Sequence, residues 1–130
     1  MRYISKEVAR CMTGLTESDG TLTTHFVFPE DFIGFQGHFP SRKLLPGICQ
    51  IQCVTASLEK MKRKKLIVEE IVLAKFFLPV FPLEELNCVC RDISIIRDNG
   101  DVFIVKMTVS KGDLKAAEIK LRARFVGKEE

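Results

Sequence analysis

The spacing of apolar and polar residues predicts two strands at the start of the chain. Residues 6–17 are predicted as a weakly patterned strand that ends at an Asp-Gly hairpin turn. Residues 21–28 alternate, with Leu22 and Phe26 on one face and His25 on the opposite face. This alternation predicts a strand with one buried face, and it places His25 on the solvent side.

A long apolar helix is predicted over residues 46–63, after a loop with one helical turn at residues 30–33. Its apolar residues recur near helical spacing and leave little polar surface in the first three turns, which is typical of a buried helix. These residues are Ile48, Ile51, Thr55, Leu58 and Met61, with Cys49, Cys53, Val54 and Ala56 beside them. The basic run at residues 60–65 ends the helix, where cations are stabilised by the helix dipole without any ligand.

Only strands are predicted after the helix. They cover residues 66–80, 85–97, 101–111 and Leu114–Val126, and the last alternates regularly between apolar and charged side chains. The order of strand, strand, helix and then three or four long antiparallel strands predicts an α+β fold. We expect one domain over residues 1–130, in which an antiparallel sheet wraps around one long central helix.

Composition narrows the class of protein. The 130 residues are 46% hydrophobic and 28% charged, as in ordinary globular domains, and no apolar run approaches the ~20 residues of a membrane span. The N-terminus lacks a signal-peptide core, so we expect a cytoplasmic protein. The net charge of +3 and the near absence of aromatic residues other than Phe do not favour nucleic-acid binding. The five cysteines form no Cys-x-x-Cys pair, and they are expected to be reduced core thiols rather than metal ligands.

One stretch of the sequence contains residues that could take part in catalysis. A turn-forming segment presents His38 in apolar surroundings, and a Pro-Gly pair at Pro46 and Gly47 then opens the predicted helix. A general base beside an exposed N–H at the positive end of a helix can polarise a carbonyl and remove a proton next to it. The residues therefore predict a proton-transfer site.

The motifs around this site match a known family. The sequence Gly-His-Phe-Pro at residues 37–40, with Leu-Pro-Gly-Ile at residues 45–48, resembles the 3-hydroxyacyl-acyl-carrier-protein dehydratases of fatty-acid and polyketide synthesis. Residues 74–82 resemble the strand that follows the helix in that family, and the likeness spans roughly residues 21–125. It implies a hotdog fold and acyl substrates carried by acyl carrier protein or coenzyme A. It also implies no metal or cofactor, and pairing of chains in a homodimer, a heterodimer or an oligomer of dimers.

The resemblance assigns roles to three residues. His38 would remove the α-proton and the Gly47 N–H would bind the thioester carbonyl, whereas Gln52 stands where the family has a Glu or Asp that protonates the departing hydroxyl. An amide has no titratable proton to give. The chain is therefore a weak or modified dehydratase, a subunit completed by an acid-bearing partner, or an acyl-binding protein without turnover. The neighbouring amide of Gln50 points to the opposite side of the helix.

Other residues have a functional and a plain interpretation. Several apolar side chains could line a tunnel for the acyl chain or could simply fill the core. The candidates are Phe35, Phe39, Ile48 and Phe76, with Ile51 and Phe77 beside them. Arg42 and Lys43 are expected near the site mouth, where they could steer an acidic carrier protein or simply be solvated. Thioester hydrolysis is a third possibility, although Gly-His-Phe-Pro is not the motif of thioesterases on this fold.

Overall fold

The computed structural model describes residues 2–35, 43–96 and 102–126. Its elements are α1 (Arg2–Arg10), β1 (Met12–Ser18), β2 (Thr21–Val27), a 3-10 turn (Ile33–Phe35), α2 (Gly47–Lys62), β3 (Lys65–Phe76), β4 (Glu85–Ile96), β5 (Val102–Lys111) and β6 (Leu114–Val126). The strands form one antiparallel sheet in the order β1-β2-β4-β5-β6-β3. The sheet wraps around α2, which confirms the predicted α+β architecture.

The prediction for the start of the chain was wrong. Residues 6–17 were predicted as a strand, but α1 runs to Arg10 and β1 begins only at Met12. Ile4, Val8 and Cys11 are four and three residues apart, so they share one face of a helix, and Val8 and Cys11 are buried. This face packs α1 onto the core and against α2.

Helix α2 has nearly the predicted bounds. Pro46 precedes it in an extended conformation, and Arg63 ends it in the left-handed conformation with its N–H donating to Glu59 O at 2.7 Å. Its middle is buried from Cys49 to Leu58 except at the half-buried Gln52, as expected of a helix enclosed by a sheet. Ile48 departs from the expected pattern because it is 41% exposed.

Phenylalanine rings in contact with one another connect the sheet to the segment that precedes the candidate site. The ring of Phe28 packs on Phe26 at 6.0 Å and on Phe32 at 4.8 Å, and Phe32 packs on Phe35 at 5.6 Å between centroids. All four are buried. The 3-10 turn lies slightly later than the predicted turn at residues 30–33, because Phe32 and Phe35 enter this aromatic cluster. This aromatic cluster holds the chain against the core up to residue 35.

Strand β3 forms one edge of the sheet. It pairs with β6 alone among the strands of the described ranges, and it ends at Phe76, earlier than the predicted residue 80. Several large apolar side chains on it and just after it are exposed: Ile67, Ile71, Val72, Phe76 and Phe77. The remaining strands agree with the predicted bounds to within one residue.

Candidate active site

The first N–H groups of an α-helix have no acceptor within the helix. At the start of α2, Cys49 N and Gln50 N do have an acceptor, because both donate to Pro46 O, at 3.0 and 3.3 Å. Pro46 makes no side-chain cap, so the first-turn N–H of Gly47 is left without a protein acceptor among the described residues. Together with the positive end of the helix dipole, this N–H can bind a carbonyl oxygen or an anion.

The ring of Phe76 lies directly against Gly47. A Cβ at position 47 would be 2.8 Å from Phe76 Cζ and 2.9 Å from Cε2, closer than side chains approach. Only glycine therefore allows the ring to sit over the start of α2. Because Phe76 is 45% exposed, the ring forms an apolar, accessible wall beside the Gly47 N–H.

Gln52 lies on α2 and contacts the N-terminal helix. Ser5 Oγ donates a hydrogen bond of 2.7 Å to Gln52 Oε1 in a partly buried position. Both residues line a cavity of about 620 Å³ between α1, α2 and the beginning of β3. Gln52 is thus an amide that faces an open space.

Two further polar side chains of α2 are buried: Thr55 lies beside this cavity, and Gln50 lies across the helix from it. Thr55 lies one turn after Gln52, lines the same cavity and is 7% exposed, and its Oγ1 has no hydrogen-bond partner in the described ranges. Gln50 is 3% exposed, and its Oε1 is likewise unpartnered there. Buried polar atoms are nearly always hydrogen-bonded, so both atoms indicate places where a ligand, a water or another segment completes the contact.

The cavity has a mostly basic rim. Lys6, Arg63, Lys64 and Lys65 line it together with one acid, Glu59. The Glu59 carboxylate accepts a hydrogen bond from Leu66 N at 2.8 Å, which ties the end of α2 to β3. Part of the basic run therefore surrounds the cavity that contains Gln52, although the helix dipole alone would account for its position.

The other predicted site residues fall into two groups. His38, Phe39 and Arg42 lie outside the described residues. Phe35 is buried in the aromatic cluster, Ile48 is exposed beside Gly47, and Lys43 is exposed with its Nζ donating to Glu30 O at 3.1 Å. The structure thus brings Gly47, Phe76 and Ile48 together at the start of α2.

His25 lies on the outer face of β2, as its alternation predicts, but it is only half-exposed. Its ring packs against Gly14, where an added Cβ would be 3.2 Å from His25 Cδ2. Nδ1 is buried without a partner among the described residues. Since Gly14 and His25 are paired across β1 and β2, the contact is explained by sheet packing.

All five cysteines are buried free thiols. Burial raises the pKa of Cys11 and Cys49 to about 11 and that of Cys90 to about 12, and it raises the pKa of Cys53, which also hydrogen-bonds Cys88. Thiols of this kind are poor nucleophiles and poor metal ligands. Within the described ranges there is no cluster of three His, Cys, Asp or Glu side chains, and none of the helices could cross a membrane.

Sequence reasoning missed Ser5 and Thr55 as groups that accompany Gln52. Ser5 was assigned no role and was placed next to a predicted strand, whereas Thr55 was counted among the apolar residues of α2. The spacing of three residues between Gln52 and Thr55 could have placed both on one helix face. Nothing local in the sequence indicates that Ser5, 47 residues away, reaches Gln52.

Comparisons with known proteins agree with this fold. A family model for ApeI-like proteins, described as ApeI dehydratase, matches residues 15–113. The 3-hydroxyacyl-[acyl-carrier-protein] dehydratase FabZ of Clostridium acetobutylicum is 31% identical over 99 residues, which cover 71% of this chain and 68% of that protein. The chain spans 60–68% of the length of the curated relatives that it matches.

Solved structures share the fold at lower identity. The dehydratase heterocomplex ApeI:P from Xenorhabdus doucetiae matches with a TM-score of 0.67 and 18% identity, over 87% of this chain and 96% of that one. A mutant of the thioesterase PA1618 from Pseudomonas aeruginosa matches with a TM-score of 0.64 and 15% identity, over 88% and 81%. These similarities establish the hotdog fold, and the family model goes further: the chain belongs to the ApeI-like family of hotdog dehydratases.

Proposed function

We propose that this chain dehydrates 3-hydroxyacyl thioesters to trans-2-enoyl thioesters in the synthesis of fatty acids, polyketides or related lipids. The observation that carries the proposal is the N–H of Gly47 at the positive end of α2, which has no acceptor among the described residues and lies beside the exposed ring of Phe76, in a chain of a dehydratase family. A thioester carbonyl fits this arrangement, because it needs a donor for its oxygen and an apolar wall for its acyl chain.

In the proposed mechanism, the Gly47 N–H donates to the thioester carbonyl oxygen. This withdraws electron density and makes the α-proton more acidic, so that the imidazole of His38 can remove it. The C–O bond at the β-carbon then breaks, and the hydroxyl leaves as water. Gln52 has no acidic proton, so the proton for this water comes from the imidazolium of His38, either directly or relayed through a water held by Gln52.

The proposed substrate has an apolar chain on a charged carrier. Phe76 and Ile48 are exposed beside Gly47 and form the nearest apolar surface for the acyl group, with Phe39 proposed to join them. Phe35, which is buried among other aromatic rings, shapes this surface from behind. Arg42 and Lys43 are proposed to attract an acidic acyl carrier protein or the phosphates of coenzyme A.

A second candidate is a catalytically impaired or acyl-binding subunit that pairs with an acid-bearing partner. Gln52 favours it, because loss of a general acid typically costs ~10²–10⁴ in rate. The edge of β3 favours pairing, since among the described strands only β6 pairs with it and it carries exposed apolar side chains such as Ile71 and Val72. One structure of the same fold is a dehydratase heterocomplex. In such a dimer, His38 would face the carboxylate of the partner.

One assay set tests both proposals. Purified chain is incubated with 3-hydroxyacyl, enoyl and saturated acyl thioesters, and dehydration, hydration and hydrolysis are measured separately. We expect dehydration that His38→Ala abolishes and that the control His25→Ala leaves unchanged. Dehydration only with Gln52→Glu, or only after addition of an acid-bearing relative, would favour the subunit; hydrolysis alone would refute both in favour of a thioesterase.

A further inference from the structure

The side chain of Gln52 is held by the N-terminal helix. Ser5 Oγ donates to Gln52 Oε1 at 2.7 Å, and both residues line the cavity of about 620 Å³. A carboxamide is planar, with one acceptor end and one donor end. Because Oε1 already accepts from Ser5, Nε2 is the end of the amide that remains to meet a ligand in the cavity.

We propose that Ser5 is a positioning residue that makes Gln52 a hydrogen-bond donor towards the hydroxyl of the substrate; this rests on the proposed function. Without Ser5, the amide could turn over and present its oxygen instead. A hydroxyl that departs from carbon gains negative charge as the C–O bond breaks, and it is stabilised by a donor rather than by a lone pair. In the orientation that the structure shows, the hydrogen bond from Ser5 holds the donor end towards the cavity before substrate arrives.

The face of α2 that carries Gln52 continues with a second polar group. Thr55 lies three residues further along, on the same face and in the lining of the same cavity. Its hydroxyl is buried and has no partner in the part of the chain that the structure describes. A water held between Thr55 and the Nε2 of Gln52 would complete both groups and could relay to the departing hydroxyl the proton that His38 has removed.

The same contact has the opposite effect on an acid at position 52. In Gln52→Glu, the hydroxyl of Ser5 would donate to the carboxylate, stabilise its ionised form and lower its pKa. A general acid must carry its proton at the working pH. Ser5 therefore fits the amide and opposes the family's carboxylic acid, so Gln52→Glu should recover more activity together with Ser5→Ala than alone.

The contact can be tested without any activity. The carboxyl carbon introduced by Gln52→Glu is titrated by NMR in three backgrounds: Ser5, Ser5→Ala and Ser5→Thr. We expect its pKa to be about 1–2 units lower with Ser5 or with Ser5→Thr than with Ser5→Ala, the size of one hydrogen bond to a charged group. The same pKa in all three backgrounds would refute the contact. Thermal unfolding of each variant shows whether the fold is retained.

The positioning role is tested by kinetics in the native background. Ser5→Ala is expected to lower kcat for dehydration about three- to tenfold and to leave KM within twofold, because the contact orients a group that acts as the hydroxyl leaves. Ser5→Thr should retain kcat. Unchanged kcat in Ser5→Ala, or an equal loss in Ser5→Thr, would refute positioning. A wild-type chain without dehydratase activity would refute the proposed function and this role, whereas the titration would still decide whether the contact exists.

Discussion

Replacing Gly47 by alanine perturbs the start of α2 by a defined amount. The new Cβ would lie 2.8 Å from Phe76 Cζ, whereas ordinary contacts begin at 3.4 Å, so the ring must move by about 0.6 Å (3.4 minus 2.8). Phe76 is 45% exposed and can move outward. Alanine gains ~0.5–1 kcal/mol over glycine in a helix, and overpacking costs ~1–3 kcal/mol, so we expect a net loss of ~0–2 kcal/mol in the free energy of unfolding.

Activity should respond more strongly than stability. The backbone N–H is kept in Gly47→Ala, but the methyl group and the displaced ring occupy the approach to it. A misplacement near 1 Å can cost ~10²-fold, so we expect kcat/KM for dehydration to fall ~10–10²-fold. The assay follows formation of the enoyl thioester, with urea unfolding measured in parallel.

The variant Phe76→Leu supplies the matched control for this prediction. Combining it with Gly47→Ala removes the aromatic ring that the methyl group strikes, so the double variant should regain the activity of Phe76→Leu alone, with a coupling of ~1 kcal/mol in stability. The reasoning is refuted if Gly47→Ala keeps its activity within twofold. It is also refuted if the double variant is no better than Gly47→Ala.

Three further predictions concern the core, the thiols and the sheet edge. Phe28→Ala should destabilise the fold by ~3–5 kcal/mol in urea unfolding, because this buried ring joins two others, whereas the half-exposed Phe77→Ala should cost far less. The native thiols should resist a disulfide reagent at pH 8 and react on unfolding, and fast labelling of the native protein would contradict this. Burial raises the pKa of Cys49 in the folded protein to about 11 from 9.0. The contribution of Cys49 to stability is therefore intact below pH 9 and is lost as the pH rises through about 11. Ile71→Lys should convert a dimer to a monomer in light scattering while Leu114→Lys, at an exposed turn, should not; equal masses for both variants would contradict pairing at β3.

The sequence predicts most of the fold, because its later elements are long and regularly patterned. β6 has its predicted bounds, Leu114–Val126, since the alternation over residues 117–125 leaves one solution for the buried face. α2 is defined by Pro46 at its start and by an apolar surface over its first turns. α1 was missed because nine residues with only Ile4 and Val8 as apolar anchors give a weak helical signal, and its stability comes from packing on α2.

Residues of the candidate site can be named from the sequence, but contacts between distant ones cannot. Gly47 follows from the Pro-Gly pair, and Gln52 and Phe76 follow from the resemblance to the dehydratase family. The ring of Phe76 over Gly47 and the hydroxyl of Ser5 on Gln52 come from distant segments, and only the folded chain brings them into contact. Such contacts leave no period or motif in the sequence, so no reasoning from local pattern could have found them.

The central claim is most directly tested by one rate measurement. Purified wild-type chain, His38→Ala and His25→Ala are each incubated with a 3-hydroxyacyl thioester on acyl carrier protein and on coenzyme A, and the enoyl product is measured over time. The account predicts dehydration by the wild type, no change with His25→Ala and a loss of at least ~10²-fold with His38→Ala. No enoyl product from the wild type, or equal rates for the wild type and His38→Ala, would contradict it.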